Sequence, residues 1–401
     1  MSAAPRAAVS GELKVLPGVT VSEEYNDNVL LTRENRRTDT ITEFDPAVHL
    51  QYRALFWDWD VDYVYYYRVY AQRTVKDDTT HALTLVNNDR IIHDLLFLDL
   101  KDDYARVSLD VARDYTQENN IVNQTDRNIF FASPYVKRDL SPRTTFLAGY
   151  GYRNTWYKDP AAVGTTEYLG YVQFARELSS RLTTTVEVRS NNVDFKRTDR
   201  RVHYRDEEAL LTGRYEYAAD SVVSLGAGNS WWTLDYGQRV QRVFWEGLLR
   251  HSEGSAKFSM EAGTRFVPDP TAVVRREDRF GAAVKKEEQR FTVQMAGSFR
   301  EYRDVTTNTL QETDTGISVF LGHQLSDTTN VKLDVAVDQY RSQLAAASSL
   351  TRYLGGLELV YLRSKTATIS LSYRRGETHA PDNPSAGYYN NRIILEAHKT
   401  F

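Results

Sequence analysis

Apolar and polar side chains alternate one by one along most of this chain. The clearest window is 56–68, FWDWDVDYVYYYR, in which the six odd positions from 57 to 67 are aromatic or aliphatic and Asp58, Asp60 and Asp62 occupy even positions. A period of two puts the two sets on opposite faces of a β-strand, whereas a helix would scatter the aspartates around its circumference. One face of this strand therefore needs water, and the other needs an apolar or interfacial medium.

The same alternation recurs to the end of the chain, in windows that include 106–111, 184–189, 257–262, 331–338 and 369–374. In the first of these it directs Val107 and Leu109 toward the apolar side. The polar connections between windows are alternately short and long. Short turns include 140–143, 178–181, 218–220, 253–255 and 325–329, and long loops are expected at 24–38, 73–80, 118–126, 157–164, 193–202, 235–239, 268–274, 304–311, 342–350 and 376–387.

Long loops at one end of the strands and tight turns at the other are typical of outer-membrane β-barrels. The pattern therefore predicts an all-β fold, a transmembrane antiparallel up-and-down β-barrel of about 20 strands. The barrel would span residues 12–401 as a single domain, after a disordered or periplasmic segment at residues 1–11. Both termini then lie at the short-turn end, in the periplasm.

The strand number depends on the region between residues 81 and 116. Leu96, Leu98 and Leu100 have even parity, whereas Ala105 and the apolar positions after it have odd parity. A turn at Asp102–Asp103 or a bulge that shifts the register would explain the change. We expect the turn, and a barrel of about 18 strands is the main alternative.

Composition excludes several other classes. The chain has no cysteine, a net charge of −4, 26 tyrosines and 26% charged residues. It therefore has no disulfide, cysteine-type zinc site or thiol catalysis, and without a basic stripe we expect no nucleic-acid partner. No stretch approaches the roughly 18 apolar residues of a membrane helix, and a barrel gives no hydropathy peak because only alternate residues face lipid. The first residues lack an apolar leader segment, so we expect a mature chain that begins with an initiator Met.

A soluble β-propeller is the competing all-β architecture. Its blades would repeat at a fixed period, and the chain shows no such repeat. Outward faces rich in Trp, Tyr, Leu and Val on nearly every strand would also aggregate in water. The membrane barrel is therefore the better interpretation.

The last predicted strand, 388–401, ends the chain with an aromatic residue. Phe401 shares one face with Ile393, Leu395 and Ala397, as in the carboxy-terminal signal by which outer-membrane barrels are recognised for insertion. Lys399 departs from that signal, because an apolar residue is expected there. The expected partners are therefore outer-membrane lipid and the barrel-assembly machinery.

The acidic ladder Asp58, Asp60 and Asp62 could suggest a metal or catalytic site. Neighbours on one face of a strand are roughly 6.5–7 Å apart, which is too far for a shared proton, and calcium ligands usually come from loops. We therefore expect no metal site, but a hydrated wall paired with arginines of neighbouring strands.

No catalytic pattern stands out elsewhere. The 8 histidines show no HExxH-type spacing, and neither His93–Asp94 nor His203 near Asp206 has a serine in register. We therefore expect neither an enzyme nor a cofactor.

The predicted functional surface is the lumen. The early strands present mostly acidic and the middle strands mostly basic residues, which either pair across the wall or select the solute. The alternation also places five aromatic rings on the inner face, which favours a carbohydrate solute because sugars stack on such rings. These are Tyr66, Tyr70, Phe244, Tyr302 and Tyr340. The charged lumen-lining candidates are Asp58, Asp60, Asp62, Arg242, Arg250, Arg265, Asp334 and Asp338.

The segment 18–29, GVTVSEEYNDNV, resembles the opening strand of the outer-membrane barrels found beside exopolysaccharide and PEP-CTERM (exosortase) gene clusters of Gram-negative bacteria. Segments 39–41, 45–47, 96–99 and 392–401 are similar to later parts of that family. The resemblance spans the chain and implies a porin-like barrel in the outer membrane. It further implies an exit for a secreted polysaccharide, with a periplasmic export partner and no catalytic residues.

Two function classes follow. The first is a passive porin-like channel for a hydrophilic solute, most specifically an exopolysaccharide. The alternative is a structural sheath or scaffold whose lumen houses a periplasmic partner or electron carrier. A conduit should keep exposed aromatic rings for sugar stacking, whereas a sheath should have a wide, polar wall.

Overall fold

The computed structural model describes residues 11–109, 116, 118–119, 121–196, 201–267, 274–343 and 348–401. The expected amino-terminal segment at 1–11 lies, except for Gly11, outside these residues. Twenty antiparallel strands account for most of the described chain: β1 (Glu12–Asn26), β2 (Asp39–Arg53), β3 (Asp58–Tyr70), β4 (Asp78–Ile92), β5 (Leu96–Ser108), β6 (Gln124–Ser141), β7 (Thr144–Tyr157), β8 (Gly164–Glu177), β9 (Leu182–Lys196), β10 (Arg201–Ala218), β11 (Ser221–Leu234), β12 (Arg239–Glu253), β13 (Ala256–Val267), β14 (Arg275–Glu287), β15 (Phe291–Asp304), β16 (Leu310–Ser326), β17 (Thr329–Ser342), β18 (Ser348–Ser364), β19 (Ala367–His379) and β20 (Tyr388–Thr400).

The sheet closes on itself. Each strand pairs with its neighbours in the chain, and β1 also pairs with β20, from Gly18 opposite Thr400 to Asn26 opposite Arg392. Closure removes the free edges at which an open sheet would aggregate. The predicted antiparallel barrel of 20 strands is therefore confirmed, and the 18-strand alternative is wrong. Among the described residues, no helix has the length and apolar character needed to cross a membrane.

Long and short connections alternate as the sequence predicts. Odd-numbered strands lead into the longer loops, such as 109–123 after β5, and even-numbered strands lead into short turns, such as 142–143 after β6. Each predicted long loop overlaps an observed connection. The start of β1 and the end of β20 both lie at the short-turn end of the barrel.

The turn expected at Asp102–Asp103 is wrong. β5 is continuous and pairs with β6 without interruption from Leu96 opposite Val136 to Ser108 opposite Gln124. The register shift in this region lies instead near the β4–β5 turn, between Arg90 and Ile92.

Val107 and Leu109 do not lie where the alternation puts them. Within β5, Val107 shares a face with Asp99 and Asp103, opposite to the face of Leu98. Leu109 lies beyond the strand, where its N–H donates to the carbonyl of Asn123. The apolar residues move from even to odd positions here because this end of β5 is no longer part of the lipid-facing surface.

Paired residues of a sheet point to the same side, so the register assigns an inner and an outer face to every strand. The outer face is rich in exposed aliphatic and aromatic side chains, such as Val243, Leu225 and Ile317, which are 69%, 64% and 62% exposed. An apolar band of this kind is stable only against lipid or another apolar surface.

Candidate functional site in the lumen

All eight predicted lumen-lining residues lie on the inner face. They share the side opposite to the exposed apolar residues of their strands, such as Val243 on β12 and Val335 on β17. The eight residues are Asp58, Asp60 and Asp62 on β3, Arg242 and Arg250 on β12, Arg265 on β13, and Asp334 and Asp338 on β17.

Many charges of the inner face form ion pairs between strands. Asp338 lies 2.7 Å from Arg352 of β18, and Asp58 lies 3.5 Å from Arg53 of β2. Arg265 pairs with Glu277 of β14, a carboxylate that is 1% exposed. Pairing of this kind stiffens the wall and satisfies charges that have left bulk water.

Two inner-face residues have other roles than pairing. Asp334 lies against Gly356, where a Cβ atom would come within 2.5 Å of its carboxylate, so glycine makes room for this acid. Arg242 donates from Nη2 to the carbonyl of Thr306 at 2.8 Å and thereby holds the loop between β15 and β16.

The same loop fixes one carboxylate at the long-loop end. The hydroxyl and N–H groups of Thr306 and Thr307 donate hydrogen bonds to the carboxylate of Asp304. The loop is therefore anchored both by Asp304 and by Arg242.

At the end of the β5–β6 hairpin, β5 separates from β4, although β6 stays paired with β7 as far as Arg127 opposite Tyr157. The ladder between β4 and β5 stops at Leu83 opposite Tyr104, although β5 continues to Ser108. The remaining residues of β5 keep their pairing with β6 alone, so the tip of the hairpin is free to bend away from β4.

The tip bends toward the lumen. Arg106 pairs with Asp78 of β4, and its Nε donates to Asp126 of β6 at 2.9 Å. Thr80, on the inner face of β4, donates to the same Asp126 carboxylate at 2.9 Å. These contacts hold the hairpin against the lumen side of β4.

Glu118, in the connection between β5 and β6, lies against inner-face residues of β18 and β20. Glu118 is 1% exposed and lies 3.3 Å from Arg352 on the inner face of β18. Its carboxylate accepts a hydrogen bond from Tyr388 Oη at 2.7 Å, and its carbonyl accepts one from Asn390 Nδ2 at 3.1 Å. Tyr388 and Asn390 belong to the inner face of β20. Glu118 is therefore bound to β18 and β20, which are separated from β5 by the four strands β1–β4.

An apolar contact supports the same loop. Ile121 packs against a cluster formed by Val29, Ile41 and Tyr70, which are 1%, 6% and 2% exposed. A cavity of about 450 Å³ remains beside this cluster, lined among others by Arg106, Asp126 and Lys158. The mouth therefore keeps a polar chamber between the inward hairpin and the neighbouring loops.

In the β13–β14 hairpin, β13 separates from β12 in the same way, although β14 stays paired with β15 as far as Arg275 opposite Asp304. The ladder between β12 and β13 stops at Glu246 opposite Gly263, although β13 continues to Val267. A Cβ atom at position 263 would lie 2.5 Å from the carbonyl oxygen of Trp245. Glycine therefore allows the close approach of the two backbones where β13 departs.

This second hairpin packs on rings of the inner face. Phe266 makes edge contacts with Trp232 at 5.1 Å and Phe244 at 6.3 Å between ring centroids. Trp232 belongs to a buried cluster that ties the hairpin to β9–β11 and to the loop after β15: Val193, Phe195, Tyr204, Trp232, Val274 and Val305.

Four of the five inward aromatic residues predicted from the sequence are covered. Tyr70, Phe244, Tyr302 and Tyr340 are 2%, 7%, 3% and 9% exposed, whereas Tyr66 is half-buried. A covered ring cannot stack on a passing sugar. The prediction that these five rings are exposed to the lumen is therefore wrong for four of them, because loops and inward hairpins pack over them.

One group of inner-face residues was missed by the sequence reasoning. His49 of β2 lies opposite Asp62 of β3, with 2.7 Å between Nδ1 and Oδ1, and 3.7 Å from Asp60. The pairing with arginines expected for the acidic ladder therefore holds at Asp58 but not at Asp60 or Asp62. The short β2–β3 turn sets the register between the two strands, so the sequence could have shown that His49 lies opposite Asp62.

Phe401 lies just after β20 and is 64% exposed. Its N–H donates to the carbonyl of Pro17 at 2.9 Å, and Lys399 lies 4.7 Å from its ring centroid. The ring therefore remains on the outside of the closed barrel, and its role as an insertion signal stays a prediction.

No family model matches the sequence, and comparison with curated proteins gives no match. Among solved structures, the chain is similar to the FrpB iron transporter from Neisseria meningitidis (F5-1 variant), with a TM-score of 0.53, 8% identity, and coverage of 96% of this chain and 82% of that chain. It is also similar to a mutant of the ferric enterobactin receptor from Pseudomonas aeruginosa in complex with enterobactin, with a TM-score of 0.53, 8% identity, and coverage of 96% and 81%. At this identity the likeness shows the fold, a closed antiparallel barrel of the outer-membrane type.

Proposed function

We propose that this protein is a channel through which a hydrophilic solute crosses the outer membrane of a Gram-negative bacterium. The observation that carries the proposal is the contrast between the two faces of a closed barrel: an apolar outer face, and an inner face lined by ion pairs and hydrogen-bonding groups. In lipid, only a lumen that holds water can keep such an inner face hydrated.

The size of the barrel supports passage. Twenty strands spaced about 4.8 Å apart and tilted by about 40° form a circle roughly 40 Å across between opposite backbones. Side chains on both walls leave a lumen of roughly 20 Å or more before the hairpins are considered. The inward β5–β6 and β13–β14 hairpins then narrow the long-loop end. A channel with a restricted mouth fits this arrangement better than a wide sheath that houses a folded partner.

The finer proposal is secretion of an exopolysaccharide, with a periplasmic export partner docking at the short-turn end. It is supported by the resemblance of residues 18–29 to barrels beside exopolysaccharide gene clusters. Four of the five inward rings named from the sequence are covered and give this proposal no support, and of those five Tyr66 alone is half-buried and open to sugar stacking. The polysaccharide and its partner therefore rest on the sequence resemblance.

Conductance measurements in planar bilayers test both the channel proposal and the exopolysaccharide assignment. The purified chain should give steady ionic current, and exopolysaccharide fragments added at the short-turn side should reduce that current. Absence of current, in the wild type and in variants that release the β5–β6 loop, would contradict the channel proposal. A steady current that no polysaccharide reduces would support the channel proposal and contradict the exopolysaccharide assignment.

A further inference from the structure

We propose that His49, Asp60 and Asp62 bind a divalent transition-metal ion, such as Zn²⁺, on the lumen wall near the short-turn end of the barrel. The imidazole and the two carboxylates come from adjacent strands and converge, with their nearest ligand atoms all within 4.8 Å of one another. In metal sites, nitrogen and oxygen ligands lie about 2.0–2.2 Å from a zinc ion, so ligand atoms about 3–4 Å apart suit it. Small side-chain rotations bring this group to that spacing.

Register makes the group possible. Antiparallel pairing sets His49 opposite Asp62 and Gln51 opposite Asp60 on the inner face. The ladder on β3 alone separates its carboxylates by roughly 7 Å. The imidazole of β2 reaches into that gap, at 2.7 Å from Asp62 and 3.7 Å from Asp60, and supplies the ligand that the ladder lacks.

Charge points to a cation. Several other carboxylates of the inner face have guanidinium partners, as Glu43 has Arg68 at 2.7 Å and Glu24 has Arg392 at 2.6 Å. Among the described residues, neither Asp60 nor Asp62 has a lysine or arginine within ion-pair distance. Two carboxylates beside one imidazole keep an excess of negative charge that a divalent ion would neutralise.

A neighbouring amide orients one of the ligands. Gln51 Nε2 donates to Oδ2 of Asp60 at 3.0 Å, while Oδ1 of the same carboxylate faces His49. Metal-binding carboxylates are commonly held in this way by a hydrogen bond to the oxygen that does not face the metal.

The ligand set selects the class of metal. An imidazole with carboxylates suits zinc, copper, nickel or iron, whereas calcium and magnesium prefer oxygen ligands alone. The three side chains are 29%, 40% and 60% exposed, so the lumen gives an ion direct access and water fills the remaining coordination positions. A bound ion would change an acidic patch of the wall into a nearly neutral one.

Calorimetric titration of ZnCl₂ into the tag-free full chain in detergent tests the site without any assumption about conductance. We expect one Zn²⁺ per chain, and an affinity at least tenfold lower in His49→Ala and in Asp62→Asn, because loss even of an outer-sphere partner costs about 10- to 100-fold. A large excess of Mg²⁺ should leave zinc binding in place. Heat-modifiable gel migration shows whether each variant has folded.

Asp58→Asn is the matched control, because it removes the same charge from the same face of β3 at a residue that already faces Arg53. Its zinc affinity should stay within about threefold of the wild type, since a non-ligand acid contributes only long-range attraction. The proposal is overturned if the folded wild type binds no zinc or if His49→Ala binds it as tightly as the wild type. It is overturned equally if Asp58→Asn loses as much affinity as Asp62→Asn, or if Mg²⁺ displaces zinc, because either result indicates diffuse attraction to an acidic wall.

Discussion

The carboxylate of Glu118 lies 3.3 Å from the guanidinium of Arg352, which joins the loop after β5 to the inner face of β18. Arg352 also lies 2.7 Å from Asp338, so one arginine holds both a wall carboxylate and a loop carboxylate. Glu118 and Arg352 are 1% and 7% exposed, so water screens their interaction little. This contact fastens the loop across the lumen.

Replacing Glu118 by Gln should therefore loosen the loop and raise single-channel conductance. The variant removes one charge from a buried pair but leaves Arg352 paired with Asp338, so the barrel should stay folded and its stability should fall by less than the about 3–5 kcal/mol that an uncompensated buried charge costs. Glu377→Gln is the control, because Glu377 belongs to an exposed pair with Arg375 on the outer face. Equal conductance of Glu118→Gln and the wild type would argue against a fastened loop.

Gly263→Val should disturb the second hairpin. Its side chain would meet the carbonyl oxygen of Trp245, and overpacking of this kind costs about 1–3 kcal/mol or more. The temperature at which the folded band is lost on gels should fall, and tryptophan fluorescence should report the disturbance near Trp232. Gly213→Val, where a Cβ meets no atom within 4 Å, should fold like the wild type. If the two variants melt alike, the close approach at Gly263 does not constrain the hairpin.

Val335→Arg tests the lipid face. Val335 is 46% exposed on the outer side of β17, and an arginine at mid-membrane costs about 2–4 kcal/mol there. Insertion into liposomes should drop, whereas Asp334→Asn, one residue away on the inner face, should insert normally. Normal insertion of Val335→Arg would show that the assigned faces are reversed.

Arg265→Gln and Arg250→Gln should separate structure from selectivity. Arg265 pairs with the buried Glu277, so its loss should destabilise the barrel, with Arg300 at 3.9 Å from Glu277 as a weak substitute. Arg250 is exposed and lines a polar cavity of about 510 Å³ at the short-turn end. Its neutralisation should preserve the melting temperature and shift reversal potentials toward cation preference. A change in melting without a change in selectivity for Arg250→Gln would reverse this assignment.

The alternation of side chains was sufficient to predict the barrel and the inner-face placement of residues such as Asp60 and Asp338. It could not predict the inward hairpins, because the period of two continues through Arg106 although the ladder with β4 has ended at Leu83. Departure from the wall depends on contacts between distant strands, which leave no local signal. For the same reason Val107 and the turn at Asp102–Asp103 were assigned wrongly.

The convergence of His49 with Asp62 is a different case. Both residues are close to the short β2–β3 turn, so the register of this hairpin follows from counting outward from the turn. The sequence of β3 alone shows only that its carboxylates are roughly 7 Å apart along the strand. Pairing adjacent strands before searching for ligand sets would have found the group.

Cross-linking across the lumen tests the central claim most directly, because the chain has no cysteine of its own. A Glu118→Cys and Asn390→Cys double variant, reconstituted in bilayers, should react with a short bifunctional maleimide to give an intramolecular cross-link and a conductance below that of the unreacted variant. Each single-cysteine variant should show no such change. If the double variant forms no cross-link, or forms it without any effect on current, the loop does not narrow a conducting lumen.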